Sequence, residues 1–315
     1  MQLATPDVSV VIVNWNTRQY LLDVVASLNE QTTVPFEVIV VDNGSKDGSQ
    51  AALRDAHPEV VLIENGANLG FAKANNIGFR RARGRYLCLI NTDVIALDHV
   101  VDRMVAHMDA NPDIGVLGPR TVTRDLELRQ NCRRFPNLTN AAGDYLFLSR
   151  LLPAVERFEG RTLPASTYSY THDAEVLSGC FMMVRREAFD QVGPLDEAFF
   201  FYGEDTDWCR RFHDAGWRIA YFADAEAIHF GGGSSKAYPV QYYLTMEKAD
   251  RLYWAKHASL PAQVGYVLMK CFYHAVCVVG WLWPAAVRQD DQARLKLRGH
   301  WTNLVWLVSG RSLAG

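Results

Sequence analysis

Three stretches of the 315-residue sequence carry side chains in patterns suited to chemistry. The first is Asn91-Thr92-Asp93, which ends the apolar run Tyr86–Ile90. A carboxylate at the carboxyl end of a buried strand is placed to hold a divalent cation against an anionic ligand. The same Asp also suits a helix cap, the commoner use of a single acid at a strand end. The second is Gly203-Glu204-Asp205-Thr206-Asp207, which follows the aromatic run Phe199–Tyr202. One acid suffices to cap the helix that follows, and Arg210 and Arg211 one turn on can balance the others. A carboxylate crowded by like charge and aromatic rings gains proton affinity, and can take a proton from a hydroxyl. The third is His229, followed by a Gly-rich segment that ends in Lys236. A histidine after an apolar residue packs in a core more often than it binds a ligand. The segment reads either as a plain linker or as a lid whose lysine meets an anion.

These groups need strands and helices to hold them. Val8–Val13, Glu37–Val41, Glu59–Ile63, Tyr86–Ile90 and Ile114–Leu117 are short apolar runs, the pattern of strands buried on both faces. Between them, Leu21, Val24, Val25 and Leu28 recur at helical spacing, as do Leu97, Val100, Val101, Met104 and Met108. Ser49–Ala56 and Phe71 to about Arg83 complete the helices. The alternation predicts an α/β fold: a Rossmann-like, mostly parallel sheet with helices on both faces. Small polar residues gather at three strand ends, Asn14/Asn16, Asp42/Ser45 and Asn91/Asp93, the makings of a nucleotide pocket. No G-x-G-x-x-G follows the first strand and no G-x-x-x-x-G-K-[ST] occurs, which argues against a dehydrogenase and a P-loop NTPase. Strand character returns at Ala174–Val184 and Trp217–Phe222. The cationic trio Arg129, Arg133 and Arg134 reads as a solvated surface or as an anion contact.

Composition narrows the class. Hydrophobic residues at 49% and charged residues at 21% describe a folded globular chain. A net charge of -3 gives no general pull on nucleic acid, so none is expected as a partner. The six cysteines form no C-x-x-C pair, which points to reduced thiols in a cytoplasmic setting. The chain reaches its first strand at Val8 without a secretory leader pattern.

Beyond Pro239, a helix is expected to about His257, then an apolar run over Val264–Val287 interrupted by Lys270 and His274. Its uncharged part sits at the lower limit of the ~17–25 residues that span a bilayer. An interfacial or re-entrant helix is therefore expected, with a helix packed on the preceding domain as the plain alternative. The expected division is residues 1–238 as catalytic domain and 239–315 as a helical, membrane-associated appendage.

With these residues laid out, the chain resembles an inverting family 2 glycosyltransferase of the GT-A fold. It is most similar to the bacterial rhamnosyltransferase-like branch that builds cell-envelope polysaccharide. The likeness rests on Val13-Asn14-Trp15-Asn16, Val41-Asp42-Asn43-Gly44-Ser45, Asn68-Leu69-Gly70-Phe71 with Asn75-Asn76, Asn91-Thr92-Asp93, Ser178-Gly179-Cys180, Gly203-Glu204-Asp205 and His229. The resemblance implies that Asn14, Asn16, Asp42 and Ser45 serve the nucleoside, and that Asn68 to Asn75 line its pocket. Asn91 and Lys236 would serve the donor. Asp93, helped by His229, would hold a divalent metal, Mg²⁺ or Mn²⁺; the first acid of the family's Asp-x-Asp motif is Asn91 here. Asp205 would be the catalytic base, with Glu204 supporting it or binding acceptor. The implied partners are a nucleotide-diphosphate sugar (dTDP-rhamnose first, a UDP-sugar as alternative), a glycan or polyprenyl-diphosphate-linked acceptor, and the inner face of the cell membrane. Two other classes fit parts of the pattern. A catalytically idle binding partner would have no need of Asp42, Asp93 and Asp205. A nucleotidyltransferase usually has a Gly-rich basic loop after its first strand, where this chain has Asn14-Trp15-Asn16-Thr17.

Overall fold

The computed structural model describes residues 5–231, 239–287 and 291–309. Lys236 and most of the Gly-rich segment before it lie outside the described residues. In chain order the first elements are β1 (Val8–Asn14), α1 (Arg18–Gln31), β2 (Phe36–Asp42), α2 (Ser49–Ala56), β3 (Val61–Glu64) and α3 (Phe71–Phe79). They continue as β4 (Tyr86–Asn91), β5 (Val94–Ala96), α4 (Val100–Ala110), β6 (Ile114–Val122), β7 (Leu128–Arg129) and β8 (Cys132–Arg133). After α5 (Leu138–Tyr145) and α6 (Leu148–Leu151) come β9 (His172–Asp173), β10 (Val176–Leu177), β11 (Phe181–Arg185) and α7 (Arg186–Val192). The last elements are α8 (Glu204–Asp214), β12 (Arg218–His229), α9 (Pro239–His257), α10 (Leu260–Ala286) and α11 (Asp291–Val308).

The chain divides into two compact units, Met1–Arg133 with Leu163–Phe200 and Glu204–Ser234, and Arg134–Thr162 with Phe201–Gly203 and Ser235–Gly315. A cut at 238/239 places residues 134–162 with the first unit, whereas in space they group with the C-terminal helices.

The first unit is built on one sheet in the order β3-β2-β1-β4-β11-β6-β12-β5, with β7 and β9 paired to β6 and β12. Strands β3, β2, β1 and β4 run parallel, as the alternation with helices requires. β11 enters antiparallel between β4 and β6, and β12 runs parallel to β6. The carboxyl ends of β1, β2, β4, β6 and β12 therefore share one edge with the amino end of β11. The sheet is mixed, and its functional edge is made by strands of both directions. Val8, Val10, Ile12, Val40, Cys88 and Phe181 are wholly or almost wholly buried against α1 and α4, whose Leu21, Val24, Val101 and Met104 complete that core.

Three local expectations change. The helix after Phe71 stops at Phe79 rather than near Arg83, because Arg81 and Ala82 turn back onto the Gly78 and Phe79 carbonyls. The run Ala174–Val184 is two strands split by Ser178-Gly179-Cys180, and β12 extends to His229 across a register shift between Phe222 and Glu226.

Within the second unit, α10 and α11 pack side by side and α9 packs on α11. Asn137 closes a capping box at the start of α5.

Candidate active site

The site is assembled along the shared sheet edge by side chains that finish strands. Asn14 ends β1 and is fully buried. Its amide donates to Asp42 Oδ1 at 2.8 Å and to Ser45 Oγ at 3.0 Å, while its oxygen accepts from Thr17 Oγ1 at 2.8 Å. Asp42 ends β2, and its Oδ2 accepts from the Gly44 and Ser45 amides and from Gln50 Nε2 at 2.7 Å. Both side chains are thus engaged in holding the 42–50 loop. Asn16 sits exposed at φ 53°, with its Oδ1 accepting from the Lys46 backbone N–H and its own backbone N–H donating to Ser45 Oγ. Gln50 was not singled out in the sequence; its place in the first turn of α2, eight residues after Asp42, is the signal.

The Asn68–Asn75 segment lies next to this loop through Asn43. Asn68 Oδ1 accepts from the Gly70 amide at 3.0 Å and lies 3.4 Å from Asn43 Nδ2. Gly70 has φ +86°, and a Cβ there would meet the Phe200 carbonyl at 2.6 Å. Only glycine permits both the conformation and the approach. The Phe71 amide donates to that same carbonyl at 2.7 Å, which pins the start of α3 to the segment that leads into α8. Asn75 donates to the Phe71 carbonyl at 3.0 Å, and its buried Oδ1 has no partner among the described residues. Asn76 is different: it clamps the Leu195 backbone through both N–H and C=O.

Asp93 does not cap a helix, because β5 intervenes before α4. Pairing of β5 with β12, with Val94 opposite His229, brings His229 Nε2 to 3.4 Å from Asp93 Oδ1. Burial disfavours charge on that ring, but the Cys180 sulfur and the Asp93 carboxylate outweigh it and push its pKa up to about 10. The Asn91 backbone N–H donates to the Cys180 carbonyl at 2.9 Å, and its buried side-chain Oδ1 has no partner among the described residues.

Glu204 and Asp205 open α8, where the helix dipole favours negative charge. Asp205 Oδ2 accepts from Arg133 Nη2 at 2.7 Å and from the Gly179 amide at 3.2 Å; Oδ1 accepts from the Thr206 amide at 2.6 Å. Glu204 is buried with Oε2 unpartnered among the described residues. Burial, then the Asp205 carboxylate, push its pKa up to about 8. Asp207 is wholly buried and pairs with Arg211 one turn on, so it stays with the fold. The turn Ser178-Gly179-Cys180 joins the two acid centres: Gly179 binds Asp205, and Cys180 meets Asn91 and His229. The arginine trio scatters. Arg129 donates toward the His229 and Phe230 carbonyls, Arg133 holds Asp205, and Arg134 pairs with Glu159.

A family model described as glycosyl transferase family 2 matches residues 9–193, more than half of the chain. This chain belongs to glycosyl transferase family 2. A further model, glycosyl transferase family group 2, matches residues 153–287. Over 310 residues the chain is 28% identical to N-acetylglucosaminyl-diphospho-decaprenol L-rhamnosyltransferase of Mycobacterium tuberculosis, covering 92% of this chain and 91% of the relative. It is 25% identical to the dTDP-rhamnosyl transferase RfbF of Shigella flexneri, covering 85% and 87% of the two chains. These relatives place it in the rhamnosyltransferase branch. Among solved structures, the mannosyltransferase PcManGT from Pyrobaculum calidifontis, in complex with GDP-Man and Mn²⁺, superposes with TM-score 0.57 at 16% identity, over 96% of this chain and 86% of that one. That likeness establishes the GT-A fold.

For a family 2 enzyme the donor set at Asp93 and His229 suits a divalent cation. One carboxylate oxygen and one imidazole nitrogen 3.4 Å apart can occupy neighbouring positions of one ion. Among the described residues no group of three or more His, Cys, Asp and Glu side chains is placed to hold a metal. The remaining positions would fall to donor phosphate and water, the usual arrangement for Mg²⁺ at a nucleotide. His229 must release its Nε2 proton for such an ion to bind.

Proposed function

We propose that the protein transfers a sugar, with inversion, from a nucleotide-diphosphate donor to a hydroxyl of a glycan or polyprenyl-diphosphate-linked acceptor in cell-envelope polysaccharide synthesis. The donor we favour is dTDP-rhamnose, in keeping with the names of the two rhamnosyl-transferring relatives. The carrying observation is the Ser178–Cys180 turn, whose Gly179 binds Asp205 while Cys180 meets Asn91 and His229. Transfer needs one centre for the leaving diphosphate and another for the acceptor proton, and this turn ties two acid centres to one sheet edge.

In this reading Asp93 and His229 would hold the divalent metal, Mg²⁺ or Mn²⁺, which when bound neutralises charge on the leaving diphosphate. Asn16, Ser45, Asn68 and the unpartnered Asn75 and Asn91 oxygens face the donor. Asn14 and Asp42 keep the nucleoside loop rigid. Asp205 takes the acceptor hydroxyl proton as the acceptor oxygen bonds to the anomeric carbon and the bond to the diphosphate oxygen breaks. Arg133 and the Gly179 amide fix the direction of that carboxylate. Lys236, outside the described residues, is assigned to the donor phosphates. The helical unit attaches the enzyme peripherally to the inner face of the cell membrane, where a lipid-linked acceptor resides.

The test is a thermal-shift panel of dTDP, UDP, GDP and CMP, each with and without Mn²⁺. Ligand at about a hundred times its dissociation constant adds ~2.7 kcal/mol, enough to read. A metal-dependent shift with dTDP supports the reading, and one with UDP moves the donor to a UDP-sugar. No shift with any nucleotide, in detergent-free buffer and again with lipid vesicles present, overturns it in favour of an idle glycan-binding partner.

A further inference from the structure

Helix α10 is built the wrong way round for water. It runs 27 residues, Leu260–Ala286, about 40 Å at helical rise. Val264, Leu268, Phe272, Val276, Val279 and Trp283 recur every three or four residues and are exposed, Leu268 at 65% and Trp283 at 66%. The opposite side buries its polar groups. Lys270 Nζ lies 2.9 Å from Glu247 Oε2 of α9, and His274 Nε2 reaches the same oxygen at 3.0 Å. His274 Nδ1 meets His300 Nδ1 of α11 at 2.9 Å. A helix in water points its polar side outward. One in contact with lipid points ionisable groups into its own bundle, as here.

The partner α11 adds the charge. Arg294, Arg298, Trp301, Val305 and Val308 are spaced along one face and are all exposed. That face is basic in its first half and apolar in its second. Arg294 Nε lies 3.4 Å from the Ala285 carbonyl and Lys296 stacks on Trp281, so cations and tryptophans meet at the carboxyl end of α10. Basic side chains beside tryptophan suit the headgroup level of an anionic bilayer.

We infer that the outward faces of α10 and α11 form a single lipid-docking surface, which lies flat in the headgroup layer of an anionic membrane without crossing it. A crossing α10 would carry Lys270 and His274 to mid-bilayer. Their partner Glu247, with Lys248, Asp250 and Arg251 beside it on α9, would have to follow. Lying flat, α10 immerses only its apolar side. The inference rests on the membrane attachment proposed above and adds its face, its orientation and its lipid class.

The test uses the full chain and vesicle flotation, with nucleotide thermal shift as a separate readout of fold and donor site. Wild type should float with phosphatidylcholine–phosphatidylglycerol vesicles, bind pure phosphatidylcholine more weakly, and leave the vesicles in alkaline carbonate. Leu268→Glu with Phe272→Glu should cut flotation at least about tenfold, since two buried apolar contacts are lost. Val264→Asn with Val279→Asn repeats the test at other positions should the first pair fold poorly. Arg298→Glu should weaken binding to the anionic vesicles alone. Flotation of either apolar pair at wild-type level overturns the inference, as does resistance to carbonate. So does a lipid-free dimer that the same pairs dissociate, because the face would then belong to a second copy. A nucleotide shift that persists while flotation is lost separates this surface from the transfer reading, and loss of the nucleotide shift alone strikes only the latter.

Discussion

Glu204→Gln gives the sharpest check on the acid pair at the start of α8. Glu204 is buried, its Oε2 has no partner among the described residues, and its pKa rises from 4.5 to about 8 through burial and the Asp205 carboxylate. The folded protein therefore holds a proton on this group across a pH range where the unfolded chain has released it. More protons are bound folded than unfolded, so stability falls as pH rises from 4.5 to about 8, and levels off above. Each pH unit in that window costs ~1.4 kcal/mol, on the order of 5 kcal/mol in all. Glutamine keeps the shape and cannot ionise, so it removes the slope. Urea unfolding of both proteins at pH 5, 6, 7 and 8 should show near-equal stability at pH 5 and a widening advantage for the variant. Titrations of groups remote from Glu204 are common to the two and cancel in the difference. A difference that stays constant over that range would mean Glu204 is ionised throughout, and the neutral-carboxyl picture of the site would fail. The same variant should keep transfer activity near neutral pH if the neutral form of Glu204 is the one that serves.

Asp205→Asn should leave nucleotide-induced thermal shifts unchanged and lower transfer about 10²–10⁴-fold; retained turnover would hand the proton to Glu204. Asp93→Ala should abolish the Mn²⁺ dependence of nucleotide binding by titration calorimetry, and equal affinity for wild type and variant with metal would remove Asp93 from that role. Asn76→Ala leaves the buried Leu195 N–H and C=O without their 3.0 and 2.8 Å partners. It should cost ~2–4 kcal/mol in urea unfolding, and a cost within error of zero would mean water replaces the amide. Gly78→Ala drives a Cβ into Val11 Cγ1, where α3 crosses β1. It should cost ~1–3 kcal/mol, with recovery in the Gly78→Ala/Val11→Ala double variant; failure to recover would locate the strain elsewhere.

The elements of the first unit were legible because their signals are local. Val8–Val13 is buried by its own composition, and Leu21, Val24, Val25 and Leu28 mark a helix by spacing alone. The polar residues that finish β1, β2 and β4 were legible for the same reason, since parallel strands joined by helices must end at one edge. The long-range pairings were not. Arg133 and Asp205 are 72 positions apart, and their contact depends on where β8 and β10 bring Arg133 beside the turn that meets α8. Read in sequence, Arg133 is one of three clustered arginines; in space each serves a separate element.

His229 shows the same division. Its type marked it as a candidate ligand, but only the register of β12 against β5 decided that it faces Asp93. α10 carries the point furthest. The order of residues shows an apolar run with Lys270 and His274 inside it, and leaves open which side they take. Packing decided it, because burying these two requires partners with charge or hydrogen-bonding capacity, and Glu247 and His300 come from helices α9 and α11. Composition and periodicity settle what a segment can bury. Which distant group satisfies a buried charge is a property of strand order and helix pairing, and those exist only in the folded chain.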